Sequence, residues 1–186
     1  MSLRGCGSVT LTGTAQPLFG TTTTAAINPT PDRYTGQMDP RSQPSTGTVT
    51  VTTIQYFRVG DHVQVGVAGG PYDSAKITSI TIGASPAGTI TLQGLTKSHA
   101  SGEWVILSKP CAQITITPNV TTAILYIGED STVGAASLTL ITQFPTAAAT
   151  SLAVWTVGSP STGNVVDTPN IWILGTGAII PSLLTI

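Results

Sequence analysis

The sequence predicts an all-β protein: a small β-barrel module and a β-sandwich or jelly-roll-like domain, joined by a proline-rich arm. Three observations predict it. Val, Ile and Thr alternate with polar residues in many short runs, the period-two pattern of half-buried pleated strands. No run places apolar residues at i, i+3, i+4 and i+7, so no amphipathic helix is expected. Gly and Pro fall between the runs, where tight turns of a sandwich or barrel would sit.

Taken in order, residues 1–27 carry an N-terminal strand, SVTLTG (8–13), with the option of pairing beside the C-terminal domain. Residues 28–47, NPTPDRYTGQMDPRSQPSTG, hold four prolines and four charged residues (Asp32, Arg33, Asp39, Arg41). Proline donates no ladder hydrogen bond and biases its neighbour to extended backbone, so this segment reads as an arm or linker. A plain connection and an arm lying on a neighbouring subunit are both open readings. Residues 48–109 supply TVTVTTIQYF (48–57), HVQVGVA (62–68), KITSITIG (76–83), GTITLQG (88–94) and EWVILS (103–108), enough short strands for a small barrel. After Lys109–Pro110 charge nearly disappears, which places a domain boundary there. Residues 110–186 then give QITIT (113–117), TAILYIG (122–128), SLTLIT (137–142), SLAVWTVG (151–158) and NIWILG (170–175). The closing IWILGTGAIIPSLLTI (171–186) is interrupted by Gly175, Gly177 and Pro181 and reads as strand, turn and buried tail.

Composition excludes several function classes. The chain has 186 residues, a net charge of −1 and only 8% charged residues, against about 25% in an ordinary globular domain. Lys and Arg are scattered from Arg4 to Lys109 without a basic stripe, so nucleic acid is not an expected partner. MSLRGCGSVTLTG lacks the apolar stretch of a secretory signal, and no run approaches the ~20 apolar residues of a membrane-spanning helix. A charge-poor surface of Thr, Ser, Gln and Gly suits a chain that packs against many copies, because little Coulomb repulsion opposes it. Cys6 and Cys111 sit at matching places in CGSVTLTG (6–13) and CAQITITP (111–118). The echo is either chance in a Thr-rich chain or the sign of a barrel inserted between two paired strands. In the second case residues 6–26 lie beside 111–127 and the cysteines are close. The sequence leaves their bonding open; two reduced thiols suit a chain without an export signal.

No residues assemble into catalytic, cofactor or metal spacing. Asp61 and His62 are adjacent in YFRVGDHVQVG (56–66), so on a strand they face opposite ways. Val59, Val63 and Val65 fall on one face, with Arg58, His62 and Gln64 on the other. His62, His99, Asp61, Asp73 and Glu103 could gather around a metal, yet none shows a metal-ligand spacing, and solvated turn residues are the expectation. Glu129 and Asp130 are adjacent acids on a turn. GVAGGPYD (66–73) lacks the Lys and helix of a phosphate loop. Asn119–Thr121 matches a glycosylation sequon by composition. Trp104, Trp155 and Trp172 lie in strands and are expected as core or interface anchors rather than a sugar-stacking platform. An enzyme is not expected, nor a cofactor.

Two stretches carry a resemblance. FRVGDHVQVG…AKITSITIG…GTITLQGLTKSHASGEWVIL (57–107) resembles a small barrel module common in bacteriophage virion proteins. The shared pattern is Val-Gly-Asp-x-Val, Thr-Ile-Thr-Leu and Leu-Thr-x-x-His-Ala-x-Gly before a closing apolar strand. SVTLTGTAQPLFGTT (8–22), with TTAILYIGEDSTVGAASLTL (121–140) and SLAVWTVGSPSTGNV (151–165), is similar to small phage head and tail β-domains, although residues 28–110 separate pieces that usually lie close together. The resemblance implies a virion structural protein made in the host cytoplasm. The expected role is a capsid decoration (cement) protein, a homotrimer bound to the major capsid protein on the shell. A tail, neck or fibre-base component and a carbohydrate-binding β-domain are the alternatives.

Overall fold

The computed structural model describes residues 2–31, 45–118, 125–134, 140–144, 155–158 and 165–186. The chain begins with β1 (Ser2–Gly5), β2 (Val9–Thr12), β3 (Gln16–Pro17), β4 (Gly20–Thr22), β5 (Thr30–Pro31) and β6 (Ser45–Val51). It continues with β7 (His62–Gly66), β8 (Asp73–Ile82), β9 (Gly88–Leu95), β10 (Trp104–Ser108) and β11 (Pro110–Pro118). It closes with β12 (Leu125–Gly128), β13 (Leu140–Phe144), β14 (Trp155–Val157), β15 (Val166–Asp167) and β16 (Trp172–Thr185). Among the described residues the single helical element is one 3-10 turn, Thr168–Asn170, so the protein is all-β as its alternation predicts. The strands sort into two compact units. Met1–Phe19 and Lys109–Ile186 form the first, and Gly20–Ser108 the second.

The first unit is organised around β16. In its first half β3 and β12 pair with Trp172–Gly175; in its second, β1 and β2 take one edge while β11 takes the other. β13 extends the sheet beyond β12, and β14 and β15 add to β11. Ile179, Pro181, Leu183 and Thr185 face inward, and with Val9, Leu11, Ile114, Ile116, Leu125 and Ile127 they form the core. The expected break at Gly175–Pro181 does not occur; β16 runs through it. Gly177 has φ +96, a left-handed backbone that glycine adopts at little cost, so the strand bends there without ending. Pro181 is tolerated for a positional reason. Its carbonyl accepts the Cys6 N–H at 3.2 Å, so its missing N–H belongs to the same edge. Along that edge β1 ends at Gly5, opposite Ser182, and β2 starts at Val9, opposite Ile179. The proline sits in the gap between them, where no ladder donor is required.

The second unit is a single antiparallel sheet in the order β4-β10-β7-β8-β9-β6-β5. Val49, Val51, Val63, Val65, Ile77, Ile90, Leu92 and Val105 alternate into its core. The sheet curls because residues 20–31 reach both ends of it. β4 pairs with β10, whereas Thr23 bridges Val51 and β5 pairs with β6. Gly47 in β6 lets this lacing lie close: a Cβ there would come within 2.7 Å of Ile27 Cγ2 and 2.9 Å of Leu95 Cδ1.

These contacts correct the expected place of residues 20–27, which belong with the barrel strands and not with the C-terminal domain. The reason is polar burial. The Thr21 hydroxyl meets the Thr52 hydroxyl at 2.9 Å and accepts the Thr53 N–H, and the Thr23 hydroxyl donates to the Ala100 carbonyl. The two ends of the expected arm, 28–31 and 45–47, are corrected too, because β5 and the start of β6 lie within them. Residues 32–44 lie outside the described residues. The insertion reading, with 6–26 directly beside 111–127, is not what the strands do: β2 and β3 from the first piece and β11 and β12 from the second each pair with β16. Cys6 and Cys111 form no disulfide and are buried, approaching β16 from opposite edges.

Burial pushes the Cys111 thiol up to about 11, so little thiolate exists at neutral pH. Titration with a thiol reagent is therefore expected to find both cysteines slow in the native protein, and two free thiols per chain in urea without reductant. A smaller count in urea would reveal a bridge. Leu183→Ala empties a fully buried site on β16 and should cost about 2–5 kcal/mol, read as a lower urea midpoint.

Candidate functional site

The residues weighed above for chemistry separate into two groups. Val63 and Val65 face inward on β7 while His62 is exposed, cross-strand from Lys76 and Ser108, and so has no convergent partner set. Asp61 is not a solvated turn residue: it is 6% exposed, and its Oδ2 accepts the Arg58 N–H at 2.7 Å across the Arg58–Asp61 turn. Val59 lies in that turn, 63% exposed, rather than on the valine face of β7.

His99, Asp73 and Glu103 do meet. His99 is 2% exposed, in the loop between β9 and β10. Its Nδ1 lies 2.8 Å from Glu103 Oε2 and its Nε2 3.3 Å from Asp73 Oδ2. The carboxylates also shape the loop. Asp73 Oδ2 accepts the Thr96 N–H at 2.6 Å and the Lys97 N–H at 3.3 Å, and Oδ1 accepts the Thr96 hydroxyl at 3.0 Å. Glu103 Oε1 accepts the Ala100 N–H at 3.0 Å. Burial works to raise the Asp73 carboxyl, but the hydrogen bonds from Thr96, His99 and Lys97 outweigh it and hold the group below the ordinary range. Glu103 is likewise held low: burial opposes, while the Ala100 N–H, His99 and the Lys97 charge prevail.

Both ring nitrogens of His99 face carboxylate oxygens, and which of them donates depends on the tautomer. Both nitrogens are thus already turned to side chains of the same wall. Among the described residues no group of three or more His, Cys, Asp or Glu is placed to hold a metal ion. The knot is thus a polar clamp in the barrel wall. The expectation of solvated turn residues is corrected for His99 and Asp73. Asp73 and His99 are 26 residues apart and meet only through the β8–β9 pairing; the i,i+4 pair His99 and Glu103 was the one local signal.

The remaining candidates are structural. The Asp130 carboxylate accepts the Thr132 N–H at 2.7 Å and its hydroxyl at 2.6 Å, closing a turn beside exposed Glu129. GVAGGPYD joins β7 to β8, with the Gly70 N–H donating to the Val67 carbonyl at 3.0 Å. Trp172 is buried in the first unit and Trp104 is half-buried on β10; the Trp155 side chain and the sequon at 119–121 lie outside the described residues. The outward face of β6, β9 and β8 is distinctive. Register aligns Thr48 with Thr91 and Ser79, and Thr50 with Thr89 and Thr81, giving two rows of hydroxyls without a charge.

No protein-family model matches the chain, and no curated protein does. Among solved structures, the crystal structure of the S. cerevisiae Ski7 GTPase-like domain, bound to GDP and inorganic phosphate, aligns at 10% identity with a TM-score of 0.35. The alignment covers 85% of this chain, which spans 44% of the length of that one. A likeness this weak carries no functional argument.

Replacing His99 by Leu leaves two carboxylates facing hydrocarbon. The expected cost is about 2–4 kcal/mol, below the cost of breaking a fully buried pair because Glu103 keeps some solvent access. His62→Leu on the exposed face should stay within about 0.5 kcal/mol. Urea denaturation of both variants checks the contrast.

Proposed function

We propose that this chain is a bacteriophage virion structural protein that decorates the capsid, binding as a homo-oligomer across junctions between major capsid subunits. The observation that carries the reading is the pair of uncharged hydroxyl rows on β6, β9 and β8. Interface centres are depleted of charge, because a buried charge must be paired or pay its desolvation. A threonine grid avoids that cost. Its methyl groups add apolar contact and its hydroxyls serve as donor or acceptor. The sequence resemblance of residues 57–107 to barrel modules of phage virions supports the same reading. So does the chain's net charge of −1, which lets copies crowd on a shell with little mutual repulsion.

Cryo-EM of the particle tests the proposal. Density for this chain over the capsid lattice is the expected outcome; density confined to the tail or neck, or none in the virion, ends it. A second test uses Thr48→Lys with Thr89→Lys, two outward positions diagonal across β6 and β9. The double variant should retain its urea midpoint within the error of a surface change of about 0.5 kcal/mol, while its occupancy on undecorated shells, measured by sedimentation, falls about tenfold or more, the loss expected when ~1.4 kcal/mol of interface energy is removed.

A further inference from the structure

The lacing of the second unit depends on one loop. Residues 23–27 are bonded to residues 99–103 through the backbone. The Thr23 N–H donates to the Glu103 carbonyl at 2.9 Å, and the Gly102 N–H to the Thr23 carbonyl at 2.9 Å. Ile27 and His99 exchange both bonds, at 2.8 and 3.0 Å. On its other side the same segment meets β6, where the Thr24 N–H donates to the Thr50 carbonyl at 2.9 Å; just beyond both, the Thr52 N–H donates to the Thr22 carbonyl at 3.2 Å. The loop that receives residues 23–27 is itself shaped by two carboxylates. Asp73 holds its start at Thr96 and Lys97, Glu103 holds Ala100, and the His99 ring ties the carboxylates together.

We propose that the Asp73–His99–Glu103 knot is a proton-operated latch: neutralising the two carboxylates frees the 96–103 loop and with it the 23–27 segment, while β6–β10 remain paired. The inference is independent of the virion reading. Its physical basis is the donor count. Donors converge on these carboxylates: the N–H groups of Thr96, Lys97 and Ala100 and the Thr96 hydroxyl, with the His99 ring between the two acids. A protonated carboxyl loses acceptor strength and places its own O–H against those donors. No relief comes from neighbouring elements. Residues 23–27 are Thr-Thr-Ala-Ala-Ile and carry no ionisable group. Lys97, whose Nζ lies 3.5 Å from the Pro71 carbonyl, adds positive charge beside Glu103. Tyr72, before β8, has a phenol that burial pushes up, so it stays neutral in acid. In contrast, the β6–β9, β8–β9 and β7–β10 pairings use backbone groups that do not titrate.

The direction in pH follows from the two depressed groups. A carboxyl held below its unfolded value stabilises the closed form fully above that value, and the contribution is lost as pH falls through the folded one. The reference values are 3.8 for Asp73 and 4.5 for Glu103. The latch is therefore shut at neutral pH and opens in acid, as pH falls below those values and through the lowered folded ones.

Amide hydrogen exchange followed by NMR on the whole chain tests this, with rates converted to protection factors so that the intrinsic pH dependence drops out. Between pH 6 and pH 3 the protection of Ile27, His99 and Gly102 is expected to fall at least tenfold relative to Ile77 and Leu92 in the strands. Asp73→Asn with Glu103→Gln should reduce that pH dependence to less than twofold. Latch amides that keep their protection at pH 3, or that lose it in step with Ile77 and Leu92, would overturn the proposal. The wild-type comparison decides the matter by itself if the double variant fails to fold.

Discussion

A strand has two edges, and the first unit is built by filling both edges of β16. With 14 residues and a rise of about 3.3 Å each, this strand is long enough to receive five partners. β3 and β12 share its first four residues, and β1 and β2 follow one another along one edge while β11 lies on the other. The N-terminal strands and those after Lys109 pair with β16 rather than with each other. This explains how residues 20–108 can stand between them in sequence without interrupting the sheet. It also explains why the inward alternation of Ile179, Pro181, Leu183 and Thr185 is strict: a slip of one residue would expose that set and misplace every partner at once.

Much of the fold was legible because alternation is a local signal. β2, β7, β9, β10 and β11 all fall in runs where Thr, Val and Ile alternate, and the barrel boundary near Lys109 follows from a composition shift. β16 was hidden by Gly177 and Pro181. Whether proline ends a strand depends on which edge its missing N–H faces and whether a partner lies there, and that depends on where β1 stops and β2 starts. The position of residues 20–27 was hidden for a related reason. Thr21 and Thr23 look like surface residues, but their hydroxyls have partners at Thr52 and Ala100, which are distant in sequence. The His99 knot combines both difficulties, being polar, buried and assembled by strand register.

The burial of charge inside this protein and the neutrality of its outer face are connected. The chain carries few ionisable side chains, and Arg4, Asp61, Asp73 and His99 are all buried. Each buried carboxylate accepts from the backbone: Asp61 from the Arg58 N–H, and Asp73 from the Thr96 and Lys97 N–H groups, with the His99 ring beside it. In such positions charge organises turns and loops. What remains outside on β6, β9 and β8 is threonine and serine, with Lys76 and Gln93 one row further along.

That division has a consequence for how such a surface recognises a partner. A charged face discriminates by sign and weakens with salt. A hydroxyl grid has neither property. Its discrimination comes from register, because hydroxyl groups find partners only where the opposing chain presents donors and acceptors at the strand spacing, about 4.8 Å across strands and about 6.7 Å along each one. Binding through β6, β9 and β8 should therefore depend on the rigidity of the barrel wall, and the segment that laces that wall, residues 23–27, is bonded to Thr50 at its edge.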